Sequence, residues 1–343
     1  MTEKRLIYAP VVIPTLFRAE TFIPCIESLT NCAGAEHTDV YIALDFPSKD
    51  AHWDGYRRIV EYLDNTNFPF KSLNVIKRHK NYGVYGPNSN FNMICDDLWK
   101  IYDRLIFSED DNLFSPNFLL CINNGLDIFE HDKTVISICG YLHHYGVKTQ
   151  GNSFYRCRNH FSAWGYGIWK SRIEEQKKIT TKYFRNSLSF RNLIKMGRFG
   201  RSHFLAYLSS RCPTSYLWLN DVNLSTYMIL EDLCQIVPTI SLVKNIGVES
   251  GENFRSSSRD IADLYIKQPV SNDNTFEFIG TGYECQEENI KDWVHKDKLF
   301  HEKYQWVTWK VVIKQTLKYS IKIILGDLKW KRTTKNKTNI WFV

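Results

Sequence analysis

The stretch RLIFSEDDNLFSPNF, residues 104 to 118, decides the fold. An apolar run stops abruptly at Glu109, Asp110 and Asp111, and Ser115 and Pro116 then open a helical pattern. Carboxylates at the end of a buried strand are costly unless a basic side chain, backbone N–H groups or a cation compensates them. The order strand, acids, helix therefore asks what lies on either side of it.

Upstream, apolar strand-like runs alternate with helical spacing. RLIYAPVVIP (5–14), DVYIALDF (39–46), KSLNVIKR (71–78) and DRLIFSED (103–110) read as strands, and TVISICG (134–140) as a fifth. Between them, 18–32, 50–65, 86–102 and 115–130 read as helices, the third entered through Pro87 and Asn88 and the last capped by Ser115. Such a βαβ series predicts an α/β fold with a mostly parallel sheet and crossover helices. Ligands bind beyond the carboxyl ends of the strands in such sheets, which brings Asp45 and the acidic trio to one edge. Beyond 141 the pattern loosens into an aromatic, glycine-punctuated segment, a basic helical region, then a helix, short strands and a polar loop.

The chain has 343 residues, 43% of them hydrophobic, enough for a substantial core. Nine cysteines without a CxxC pair suggest neither a zinc site nor a disulfide frame, and reduced thiols in a cytosolic setting are the simpler reading. No signal peptide or membrane-spanning run is expected. The net charge of +7 is misleading: residues 303–343 hold ten Lys and Arg against Asp327 alone, so the rest sums to −2, and a nucleic-acid partner is not implied. Lys310, Lys314, Lys318 and Lys322 recur every fourth residue, with Trp306, Trp309, Val312, Ile313, Leu317, Ile323 and Ile324 mostly on the other side. Val311, Ile321 and Leu325 break that pattern. A basic amphipathic helix fits either an anionic membrane surface or docking on the core with its lysines in water.

A hard cation such as Mg²⁺ or Mn²⁺ takes one or two carboxylates and completes its shell with water and phosphate oxygens. The acidic trio could hold one, or it could be a solvated turn capping the next helix. The absence of a glycine-rich phosphate loop argues against dinucleotide and P-loop enzymes.

Six ordered segments carry a more specific signal: VVIPTLFRAETFIPCIESL (11–29), VYIALDF (40–46), RHKNYGVYGPNSN (78–90), IFSEDDNLFSPNFL (106–119), HFSAWGYGIWKSRI (160–173) and VPTISLVKNIGVESG (237–251). Over residues 7 to 254 they resemble glycosyltransferases of the GT-A fold, above all the branch of N-acetylglucosaminyltransferase I and related bacterial family-2-like sugar transferases. The resemblance implies a nucleotide-sugar-binding half (1–143), an acceptor-binding and catalytic half (144–265) and a C-terminal extension (266–343). It implies an inverting transfer of a hexosyl or N-acetylhexosaminyl group from a UDP-sugar to a glycan or lipid-linked acceptor in surface polysaccharide synthesis. Asp111 would hold Mn²⁺ or Mg²⁺, with Glu109 and Asp110 beside the donor. Asp45 would read the uracil edge, His79 flank the nucleoside and Arg18 face the phosphates. Asp221, opening a later helix, would be the general base, with Glu231 and Asp232 as alternatives, and Trp164 would line the sugar pocket. Gly83 and Gly86 would serve backbone geometry. The motif is Glu-Asp-Asp and not Asp-x-Asp, and the loop after Gly247 lacks the Thr-His pair of relatives. A noncatalytic binding module and a nucleotidyltransferase are the alternatives.

Overall fold

The computed structural model describes residues 6–84, 88–143, 151–158, 160–185, 189–210, 220–247, 267–280 and 308–334, with 283–284 and a few isolated positions. Gly86 and Pro87, the polar loop from 248 to 266 and Trp306 lie outside the described residues. The chain divides into two compact units, Met1–Glu174 with Leu233–Cys285, and Glu175–Asp232 with Gln286–Val343. The boundaries expected at 143/144 and 265/266 do not coincide with this division.

The first unit is built on a nine-stranded sheet. Its strands are β1 (Val11–Thr15), β2 (Asp39–Leu44), β3 (Ser72–Lys77), β4 (Arg104–Phe107), β6 (Val135–Cys139), β7 (Phe154–Cys157), β8 (Tyr166–Trp169), β9 (Cys234–Pro238) and β11 (Tyr283–Glu284). A separate ribbon pairs β5 (Asn112–Phe114) with β10 (Val243–Asn245). The order across the large sheet is β11-β7-β9-β6-β8-β4-β1-β2-β3. Five of its eight pairings are parallel; the three antiparallel ones are β4–β8, β6–β8 and β7–β9. The expected α/β sheet is therefore present, with an antiparallel insertion. β8 was not expected, because its Tyr-Gly-Ile-Trp is short and interrupted by glycine; it lies between β4 and β6, where Gly167 makes room for Ile122 and Leu126.

Helices α1 (Ala19–Thr30), α2 (Trp53–Asn65), α3 (Asn90–Leu98) and α4 (Phe118–Ile128) connect the early strands. β1, buried along its length except at Pro14, sits between β2 and β4, as a continuous apolar run predicts for a central parallel strand. Two helix starts differ from expectation. Ser89, not Pro87 or Asn88, caps α3 by accepting from Asn92 N. The α4 N-cap is Asn117, and Ser115 instead donates to Ser271 O at 2.6 Å, because residues 112–114 are occupied as a strand.

The second unit is helical: most of α5 (Lys170–Arg185), α6 (Phe190–Gly197), α7 (Arg201–Ser210), α8 (Asn220–Leu230) and α9 (Trp309–Thr334). α7 packs against α6, α8 and α9, with Tyr207, Leu208, Tyr227 and Met228 buried. Lys195 donates to Leu230 O at 3.0 Å, satisfying a carbonyl at the end of α8, and pairs with Asp232 at 2.5 Å. Among the described side chains of α9 the buried apolar residues are Val312 and Ile323. Ile321 and Leu325, the apparent breaks in the pattern, instead continue an exposed row begun by Trp309, Ile313 and Leu317.

Candidate active site

Because β1 runs parallel to both β2 and β4, the carboxyl ends of all three strands meet at one edge. Thr15 closes β1, Asp45 follows β2 and Glu109–Asp111 follow β4. The edge is stitched by Asp45 N donating to Thr15 O at 2.9 Å and Ser108 N to Val12 O at 3.1 Å.

Asp110 and Asp111 are both about 5% exposed, whereas Glu109 is exposed. Their compensation is a basic side chain. Arg18, at the N-terminus of α1, donates through Nη1 to Asp111 Oδ2 at 2.8 Å and through Nη2 to Asp110 Oδ1. The Thr15 hydroxyl donates to the other Asp110 oxygen at 2.7 Å. Burial pushes the Asp110 carboxyl up, Arg18 opposes that rise, and the neighbouring Asp111 adds to it. Burial works against the Arg18 charge, but the two carboxylates win and hold it above its ordinary value.

Asp111 is clamped from the far end of the first unit. The β10–β5 ribbon places Asn245 opposite Asn112, and Asn245 Nδ2 donates to Asp111 Oδ1 at 2.6 Å and to Asn112 Oδ1 at 3.2 Å. Asn245 Oδ1 accepts from Gly247 N at 3.0 Å, while Ile246 N donates to Asp111 O at 2.8 Å. A Cβ on Gly247 would stand 1.9 Å from Asp111 Oδ2, so only glycine fits. Replacing Gly247 by Ala should force the Asp111 carboxylate out of place, an overpacking that costs about 1–3 kcal/mol of stability. Urea unfolding checks this, and an unchanged midpoint would refute it.

Asp45 is buried and spends its carboxylate on the fold. It accepts from Phe46 N (2.9 Å), Tyr82 N (2.9 Å), Gly83 N (2.8 Å) and Asn81 Nδ2 (3.3 Å). Gly83 has φ of +71°, a left-handed conformation that glycine adopts without strain. The loop held this way carries Tyr82, half-buried, with Arg78 and Lys80 over its ring at 5.7 and 5.0 Å and exposed His79 edge-on at 6.0 Å.

Trp164 is half-buried and meets Tyr141 edge-on at 4.6 Å. The next residue, Gly165, has φ of +65°, and a Cβ there would come within 2.8 Å of the Val243 side chain on β10. The turn bearing Trp164 thus packs on the strand that leads to Asn245.

Asp221 belongs to the second unit, in the first turn of α8, where a carboxylate suits the helix dipole. The protein mass around it pushes its carboxyl up by desolvation, against the N–H groups of Val222 and its own backbone. Its side chain is nevertheless exposed to solvent, and the hydration it retains limits that rise. Glu231 and Asp232 are exposed; Asp232 has φ of +57° and is paired with Lys195.

The structure therefore brings Arg18, Asp110 and Asp111 into direct contact and places Asp45 and its loop along the same edge. Thr15, Asn245 and Gly247 carry no signal of a role in the sequence itself, although the segment 237–251 contains the last two. Among the described residues no three His, Cys, Asp or Glu side chains are grouped to hold a metal by themselves. The acidic pair still fits a hard divalent cation in charge and donor chemistry. Two carboxylates and one guanidinium leave a net negative charge, and each carboxylate oxygen keeps a lone pair beyond the bond it accepts.

No protein-family model matches the sequence, and no curated protein resembles it closely enough to count as a relative. Solved structures similar to it include residues 1–349 of S. aureus TarS, at 12% identity and a TM-score of 0.45, covering 92% of this chain and 80% of that one. The chain spans only 29% of a longer S. aureus TarS structure. A mannosyltransferase from Pyrobaculum calidifontis, in complex with GDP-Man and Mn²⁺, matches at 10% identity and a TM-score of 0.33, covering 95% and 91%. A glucose-1-phosphate thymidylyltransferase from Bacillus anthracis matches at 12% and 0.36, covering 78% and 98%. All three scores are below 0.5, and these likenesses carry no conclusion about activity.

Proposed function

We propose that the chain is an inverting glycosyltransferase that moves a sugar from a nucleoside diphosphate, in our reading UDP, to a hydroxyl of a glycan or lipid-linked acceptor. The observation that supports this reading best is the Arg18 bridge between Asp110 and Asp111 at the strand edge, with Asn245 and Gly247 closed over Asp111. It joins three of the segments that resemble GT-A transferases into one constellation of charge.

In this mechanism Arg18 faces the donor diphosphate, whose charge a guanidinium matches with paired N–H donors. Asp111, with Asp110 flanking it, would hold Mn²⁺ or Mg²⁺, which would supply Lewis-acid stabilisation to the leaving diphosphate. Glu109, exposed beside them, adds negative charge at the rim. Asp45 sets the loop of Tyr82 and Gly83, since its carboxylate is already engaged by that loop; this replaces the expectation that it reads the uracil edge itself. His79 and Tyr82 then flank the base. Trp164 offers a ring face to a sugar. Asp221 removes the proton from the acceptor hydroxyl as its oxygen attacks the anomeric carbon and the bond to the diphosphate breaks.

The test is a panel of nucleotide sugars assayed for nucleoside diphosphate release, with and without Mn²⁺. Turnover of one donor is expected. Failure of every donor to bind or react would sink the reading, and pyrophosphate release from a nucleoside triphosphate and a sugar phosphate would assign a nucleotidyltransferase instead.

A further inference from the structure

The sequence leaves open whether α9 docks on the core or faces a membrane, and the structure separates its two faces. Val312 and Ile323 are 8% and 1% exposed and turn inward. Trp309, Ile313, Leu317, Ile321 and Leu325, each fourth along the helix, are 53–62% exposed, and Ile324 at 48% fills the same arc. From Trp309 to Leu325 this row is about 24 Å long. Lys310, Lys314, Lys318 and Lys322 each directly follow a member of the row, are exposed, and flank it along its length. Scattered apolar residues are normal on a surface, but a continuous row of six large ones marks a place that something covers.

Charge selects the occupant. The second unit carries twenty-two Lys and Arg against ten Asp and Glu, while the remaining residues carry twenty-two against twenty-seven. On the described surface of α9 the row has cations beside it and no acid. The same combination recurs on α6, where Phe190 and Ile194 are 76% and 47% exposed, four residues apart, with Arg191 and Arg198 exposed nearby. Arg201 lies 4.3 Å from the centre of the Trp309 ring, a cation held at the apolar row. Among the described residues no helix is long and apolar enough to cross a membrane. We infer that α9 lies in the plane of an anionic lipid surface, its Trp309–Leu325 row sunk among the acyl chains and its lysines reaching the headgroups. An exposed apolar stripe edged by lysines is the pattern of helices that lie on membranes and do not span them. This inference stands on the second unit alone and does not depend on the reaction proposed above.

The experiment is co-sedimentation of the full chain with phosphatidylcholine vesicles, with and without phosphatidylglycerol. Binding is expected to require the anionic lipid and to weaken as salt rises. Changing Lys310, Lys314, Lys318 and Lys322 together to Gln should weaken binding at least tenfold. Ile313→Ser, Leu317→Ser and Ile321→Ser combined should abolish it; these side chains are exposed, so thermal unfolding should be unchanged. Equal pelleting with neutral and anionic vesicles, or indifference to either set of changes, would overturn the inference. So would a dimer in light scattering that the serine changes dissociate, since the row would then belong to a second copy of the chain.

Discussion

Asp221→Asn is expected to bind the donor nucleotide as the native protein does and to lose about 10²–10⁴-fold in transfer rate. That is the usual contribution of a positioned general base, and the amide keeps the shape while losing the ability to take a proton. The pH profile supplies a second test. The Asp221 carboxyl is held above the ordinary aspartate value, and a base works only when ionised. The native rate should therefore fall on the acid side with a midpoint above that of free aspartate, and the Asn variant should lose this limb. Loss of donor binding with the transfer rate per bound donor preserved would remove Asp221 from the role and leave it a first-turn carboxylate suited to the dipole of α8.

Arg18→Met should have the largest effect on stability. It keeps the length of the side chain but leaves Asp110 and Asp111 buried without their cation, and breaking such a pair costs about 3–5 kcal/mol. The sign of the pH dependence follows from Asp110, whose carboxyl is raised in the folded protein chiefly by burial. Such a group favours folding below the ordinary carboxylate value, and the advantage is lost as pH climbs through the higher folded value. Without Arg18 that folded value rises further, so the destabilisation should grow between the ordinary carboxylate range and neutrality. Urea unfolding at about pH 4 and pH 7 would show it, and an equal loss at both would mean that the ion pair does not compensate the acids. Arg18→Lys should recover part of the loss, because it restores charge without the two-pronged geometry.

The α/β half of the first unit was legible because its strands fall in apolar runs separated by helices with clear periodicity. β1 to β4 and β6 fall where those runs fall. β5 and β8 were not legible as strands, whereas β9 and β10 fall where short strands are expected before the polar loop. β5 and β8 have three and four residues, and their pairing depends on partners that local pattern cannot reveal. The acidic trio could be read as a strand end needing compensation, but not the identity of the compensator. Arg18 and Asn245 stand 93 and 134 positions from Asp111, and only the topology brings them there. Asp45 shows the opposite limit. Its position at the edge was legible, but its engagement with the Tyr82 loop was not, because a carboxylate can serve backbone or ligand equally well.

The ribbon that pairs Asn112 with Asn245 also sets an order of events during synthesis. Everything on the amino-terminal side of the acidic pair is made early, yet Asp111 acquires its clamp only after residue 247 has been made. β9, which lies between β6 and β7 in the sheet, comes from the same late segment. A nascent chain that has just completed β4 thus holds two adjacent carboxylates with Arg18 as the counter-charge already made, and it still lacks β6 to β9. Pairings between such distant segments form slowly and leave strand edges open meanwhile. The acidic edge is therefore among the last parts of the first unit to be completed, and a chain truncated before residue 233 lacks the pieces to assemble it.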